Sequence, residues 1–166
     1  MISFTLDKLA LLTHQLTRWA LIVSATGLAI MTLIIGWQVF ARYVLNDSPA
    51  WSEPVALLLM LYYILLTAAV GVYEGFHLGL KVVIDNVSAR VRRVLTIINY
   101  CLVGFFGLLM LIYGTQLAEY TFGHVIPTLG ISRATAYWPF AAAGLLILVF
   151  SIEQILLSLS HKEGKY

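Results

Sequence analysis

The sequence predicts an all-α integral membrane protein. It has four transmembrane helices in a bundle, preceded by an amphipathic interfacial helix, with both termini cytoplasmic. Three observations predict this class. Of 166 residues, 61% are hydrophobic and 11% charged, whereas a soluble domain carries about 45–50% apolar and about 25% charged residues. Ten basic and eight acidic side chains are too few to cover a soluble core, so lipid must be the solvent for most of the chain. Four stretches, 19–41, 54–73, 94–118 and 134–152, are free of charge over the roughly 20 residues that a helix needs to cross a bilayer. Lys and Arg, finally, fall unequally on the two sides these spans define.

Residues 3–17 read as an amphipathic helix in the inner interface. Phe4, Leu6, Leu9, Leu12 and Leu16 are its apolar contacts, and Asp7, Lys8, His14 and Gln15 its polar ones. The alternative is an unbroken extension of the first span. The same polar residues, with Arg18, interrupt any short cleavable apolar core, so the first long apolar run is read as a retained span. The spans are bracketed by Arg18/Arg42, Glu53/Glu74, Arg93/Glu119 and Arg133/Glu153. Backbone in lipid must satisfy its own hydrogen bonds, which helices do one segment at a time. A barrel would need short alternating segments instead.

At the second helix, Ser52 is placed to cap, Glu53 to sit in the first turn, and Pro54 where a missing N–H costs nothing. Asn86 or Ser88 is the expected cap of the third. An unbroken run from Ser88 to Phe122 would be about 52 Å long, well over the hydrocarbon core of about 30 Å. Pro139 implies a kink or a late start for the fourth helix. No internal repeat or linker divides the chain, so residues 1–166 read as one membrane domain.

Orientation follows from basic residues. Lys8, Arg18, Lys81, Arg90, Arg92, Arg93, Lys162 and Lys165 share one side, while Arg42 and Arg133 lie on the other. Eight against two places both termini in the cytoplasm. Arg90, Arg92 and Arg93 are then expected to attract anionic phospholipid headgroups.

Composition also bears on function. A net charge of +2 gives no basic footprint for nucleic acid. The single Cys101 cannot form an intrachain disulfide or a CxxC metal site. The four spans hold no Asp, Glu, Lys, Arg or His, whereas pumps and proton-coupled carriers place such groups in the membrane. His14, His77 and His161 fall on one side and His124 on the other, so no facing pair within the bundle is expected for haem. A haem-bearing oxidoreductase anchor is nevertheless the alternative reading. No metal or cofactor is expected in this chain. Thr67, Gly71, Gly75 and Gly79 recur every four residues, a small-residue stripe suited to close helix packing within the chain or against a partner. Gln38, Asn99 and Gln116 are candidate interhelical hydrogen-bonding residues.

The segments between spans resemble the small membrane subunit of tripartite ATP-independent periplasmic (TRAP) transporters, the DctQ-like family. Phe40-Ala41-Arg42-Tyr43 ends the first span. Ser48-Pro49-Ala50-Trp51-Ser52-Glu53 is similar to that family's Pro-x-Trp-Ser/Thr-Glu-Glu sequence, with Pro54 in place of the second Glu. Gly75-Phe76-His77-Leu78 and Asp85 resemble its Gly-x-His-hydrophobic stretch with a following Asp, ahead of Arg90–Arg93. The match covers about residues 30–155. The resemblance implies a scaffold in the bacterial inner membrane for a large membrane subunit. That subunit would move the solute and hold sodium, and a periplasmic substrate-binding protein would deliver a carboxylate such as a dicarboxylate or sialic acid. It also marks Arg42, Trp51, Ser52, Glu53, Gly75, His77 and Asp85 as motif residues, while the small-residue stripe adds Gly71 as a candidate partner-interface residue. Arg42 would pair with Glu53, a partner carboxylate or lipid phosphate, and His77 and Asp85 would organise the turn between helices two and three.

Overall fold

The computed structural model describes residues 2–75 and 88–159; for residues 2–9, 89 and 90 it describes the backbone alone. Four helices are long and apolar enough to cross a membrane. They are α1 (Ile2–Val44), α2 (Ser52–Tyr73), α3 (Ala89–Thr121) and α4 (Trp138–Leu159).

The first helix is continuous over 43 residues, about 64 Å by its rise. The turn expected after residue 17 is absent, so residues 3–17 extend span one without a break. One seam explains the continuity. Ala10, Thr13, Thr17, Ala20, Ser24, Gly27, Met31, Ile34, Gln38 and Ala41 alternate at spacings of three and four, and all are buried or half-buried while their neighbours are exposed. This is the a/d pattern of helices packed side by side. Gly27 abuts Tyr63, where a Cβ would meet the Tyr63 Cβ at 3.5 Å. Tyr63 lies midway along α2, so Gly27 is level with the middle of that spanning helix. Ile2 is then about 37 Å from that level along the helix, against about 15 Å for half a hydrocarbon core.

The second helix begins at Ser52, with Trp51 in the capping position making no side-chain cap bond. The expected Ser52 cap is therefore displaced by one residue. The hydroxyl instead donates to the Pro49 carbonyl at 2.7 Å, tightening the loop ahead of the helix. The other end closes when Glu74 N donates to Val70 O at 2.9 Å and Gly75 N to Val72 O at 3.3 Å. Gly75 has φ +68°, the left-handed conformation that commonly terminates helices. The small-residue stripe expected to run through Gly75 toward Gly79 thus ends with Gly71, because the helix stops at Tyr73. Gly79 lies outside the described residues.

Ser88 occupies the cap position of α3 without a side-chain bond; Asn86, the other candidate cap, lies outside the described residues. The helix then runs unbroken for 33 residues. A two-stranded hairpin follows, β1 (Val125–Ile126) with β2 (Ile131–Ser132), in the register Val125↔Ser132 and Ile126↔Ile131. Gly130 at φ +67° makes its turn. A single 3₁₀ turn, Arg133–Ala136, leads into α4, and Pro139 is buried in that helix's first turn. Pro139 therefore delays the start rather than kinking the helix: α4 begins four residues after the expected 134 and runs on to Leu159.

The bundle is open. The helices lie in the order α1, α2, α4, α3, each packed on its neighbour, and α1 also touches α4. Among the described residues α1 and α3 stand at the two edges without extended contact. Ala69 and Val72 of α2, Tyr100 of α3, and Ile147 and Phe150 of α4 form the core. The Tyr73 and Phe150 rings lie 5.2 Å apart.

Candidate partner interface

The loop between α1 and α2 is built by the backbone. Leu45 N and Asp47 N both donate to Ala41 O at 3.2 Å, and Asn46 turns the chain at φ 52°. Ser52 N and its hydroxyl both reach Pro49 O, which sets where α2 begins. With Ser52 buried, the side chains flanking it point outward. Arg42, Trp51 and Glu53 are all exposed, Trp51 by 45% and the neighbouring Tyr43 by 77%. No ion pair joins Arg42 to Glu53 among the described residues. Arg42, Trp51 and Glu53 are thus exposed side chains of one loop and its flanking helix ends, and Trp and Arg are residue types that carry much of the binding energy at interfaces.

At the opposite end the sequence-expected residues are less closely grouped. Gly71 is half-buried in α2 and Gly75 terminates it. His77 and Asp85 lie outside the described residues. Arg90 is in the first turn of α3, and Arg92 and Arg93 in that stretch are exposed. His14 on α1 and His124 in the hairpin region are both exposed, at opposite ends of the molecule.

Two features were missed by sequence reasoning. The first is Glu153, read as a charge just past the last span. It lies inside α4, 3% exposed, where the Thr13 hydroxyl donates to its Oε1 at 2.9 Å. Among the described residues its Oε2 has no partner. The neighbouring Gln154 donates from Nε2 to Tyr73 O at 3.3 Å, so this polar cluster joins α1, α2 and α4 at one end of the bundle. The regular Thr13–Thr17–Ser24 spacing in an apolar helix was the available signal for a buried polar seam.

The second missed feature is the α3–α4 seam, made by glycines rather than by the α2 stripe. A Cβ at Gly144 would stand 2.6 Å from both Gly107 O and Leu111 N, and one at Gly114 would stand 2.8 Å from Ala141 N. Such contacts require backbone against backbone, the small-residue packing that joins helices where no water drives them together.

The spanning helices thus form an open row with an exposed motif loop at one end. Comparison with known proteins identifies the family. Residues 31–161 match the family described as tripartite ATP-independent periplasmic transporters, DctQ component. The chain is 27% identical over 136 residues to the sialic acid TRAP transporter small permease protein SiaQ of Vibrio cholerae, covering 81% of this chain and 78% of that protein. It is 30% identical over 82 residues to the C4-dicarboxylate TRAP transporter small permease protein DctQ of the same organism, covering 49% of this chain and 35% of the relative. The chain is therefore a multi-pass inner-membrane protein of the DctQ family, the small permease subunit of a TRAP transporter and not an enzyme.

Proposed function

We propose that this subunit is a static scaffold for the large TRAP membrane subunit, which carries the solute and the coupling sodium while a periplasmic binding protein delivers the substrate. One observation supports this above all: the open row of helices. A helix buried on a single stripe leaves the rest of its circumference for lipid or another protein, and α1 and α3 both do so along their length. Within the membrane, van der Waals packing of such faces is what associates subunits. The exposed Arg42, Trp51 and Glu53 extend that surface beyond the lipid as polar contacts for the partner.

On this reading both termini are cytoplasmic, as the eight-to-two distribution of Lys and Arg favours. The loop from 45 to 51 and the hairpin then face the periplasm. The N-terminal part of α1 reaches past the inner boundary of the bilayer, and Arg90, Arg92 and Arg93 attract anionic headgroups there. The relatives' names support a carboxylate-bearing solute, sialic acid or a C4-dicarboxylate.

The test is co-expression with the large permease subunit of the same transporter. A tag on the small subunit is expected to retain the large one in mild detergent at fixed stoichiometry. A large subunit that purifies, folds and transports at full rate without this chain would overturn the proposal.

A further inference from the structure

An apolar groove of about 280 Å³ runs along the outer side of the α3–α4 seam. One wall is Phe106, Met110, Tyr113 and Leu117, at the helical spacing that puts all four on one side of α3. Tyr137 and Phe140, where α4 begins, form the other. Its depth comes from Gly114, whose missing side chain lets the two helices meet beneath it.

The dimensions of the groove select its occupant. From Phe106 to Leu117 the α3 wall runs about 17 Å by rise per residue, close to the depth of one leaflet at about 15 Å. A partner's transmembrane helix would need a path through both leaflets, and this groove ends near the middle of α3. Its lining contains no charged residue. Arg133 is exposed four residues before the lining residue Tyr137, with its backbone fixed by a 2.7 Å bond from its N–H to His124 O. Glu119 is also exposed near this level, but it lies about 200° around α3 from Leu117. An apolar slot one leaflet deep with an exposed cation four residues from its lining matches an amphiphile with a negative head.

We propose that this groove holds an acyl chain of an anionic phospholipid from the leaflet on the hairpin side, with its headgroup phosphate on Arg133. The lipid fills a surface that the α3–α4 pair cannot close by itself. The site is separate from Arg90, Arg92 and Arg93, which lie at the other end of α3.

The test is native mass spectrometry of the purified full chain titrated with phosphatidylglycerol, with phosphatidylethanolamine as the zwitterionic comparison. One phosphatidylglycerol is expected to persist where phosphatidylethanolamine dissociates. Arg133→Gln should weaken it about fivefold, the order that one basic side chain contributes near an anionic surface, while Arg133→Lys should retain it. Leu117→Trp fills the slot from an exposed position and should abolish the retained lipid with helicity unchanged by circular dichroism. Equal lipid retention in wild type, Arg133→Gln and Leu117→Trp would overturn the proposal. So would a Leu117→Trp chain that keeps its lipid but no longer holds the large subunit, because the groove would then seat protein.

Discussion

Substituting Gly144 by alanine places one methyl group where two helix backbones already touch. The new Cβ would stand 2.6 Å from Gly107 O and Leu111 N and 3.0 Å from the Met110 carbonyl carbon. Favourable contacts between heavy atoms begin near 3.5 Å, so α3 and α4 must separate locally by about 1 Å. No side chain can rotate away, because the obstruction is main chain on the facing helix. Overpacking a filled core costs about 1–3 kcal/mol, and the rigidity of this site puts Gly144→Ala at about 3 kcal/mol. Gly36→Ala is the matched control: a Cβ there meets nothing within 4 Å, so the same change should stabilise by about 0.5–1 kcal/mol through backbone entropy. Both variants can be unfolded by SDS titration from mixed micelles and followed by far-UV circular dichroism. Comparable midpoints for Gly144→Ala and Gly36→Ala would refute the close backbone contact.

Three further outcomes follow from the geometry. Thr13→Val removes the donor to Glu153 Oε1 and should cost about 1–3 kcal/mol by leaving a buried carboxyl oxygen unpaired. Thr13→Val with Glu153→Leu should cost less than the sum of the single changes, and additivity in the same SDS titration would show that the two side chains act independently. Gly75→Ala would put its Cβ in ordinary van der Waals contact with the Tyr100 hydroxyl at 3.6 Å, but its φ of +68° should cost about 1–2 kcal/mol; an unchanged midpoint would exclude the left-handed turn. Trp51→Ala should weaken retention of the large subunit by about 2 kcal/mol if the indole is an anchor of that interface, and Arg42→Ala by less. Quantitative co-purification checks both, and unchanged yields would remove the 42–53 loop from the interface.

The spans were legible because charge is excluded from hydrocarbon, a rule that acts on every residue and needs no knowledge of neighbours. Where the sequence reading missed, tertiary contact made the decision. Glu153 looked like a boundary charge because Ile152 ended the charge-free window, yet Thr13, 140 residues away, turned that position into a buried one. The four-residue stripe of Thr67, Gly71, Gly75 and Gly79 looked like a helix face, but Gly75 leaves the helix by adopting positive φ. The working seam used Gly107, Gly114 and Gly144, whose pairing depends on how α3 crosses α4. The interfacial helix expected at 3–17 became part of α1 because the small-residue register at Ala10, Thr13 and Thr17 continues into Ala20 and Ser24 without a phase change. Of the motif residues, Arg42, Trp51 and Glu53 stand exposed, whereas Ser52 turned inward to hold the loop.

The most direct test of the scaffold account is sodium-driven uptake into sealed proteoliposomes. One set contains this chain alone, and another contains it with the large subunit, with the matching periplasmic binding protein added to both. The account predicts solute accumulation only when the large subunit is present. Accumulation by vesicles carrying this chain alone would contradict it.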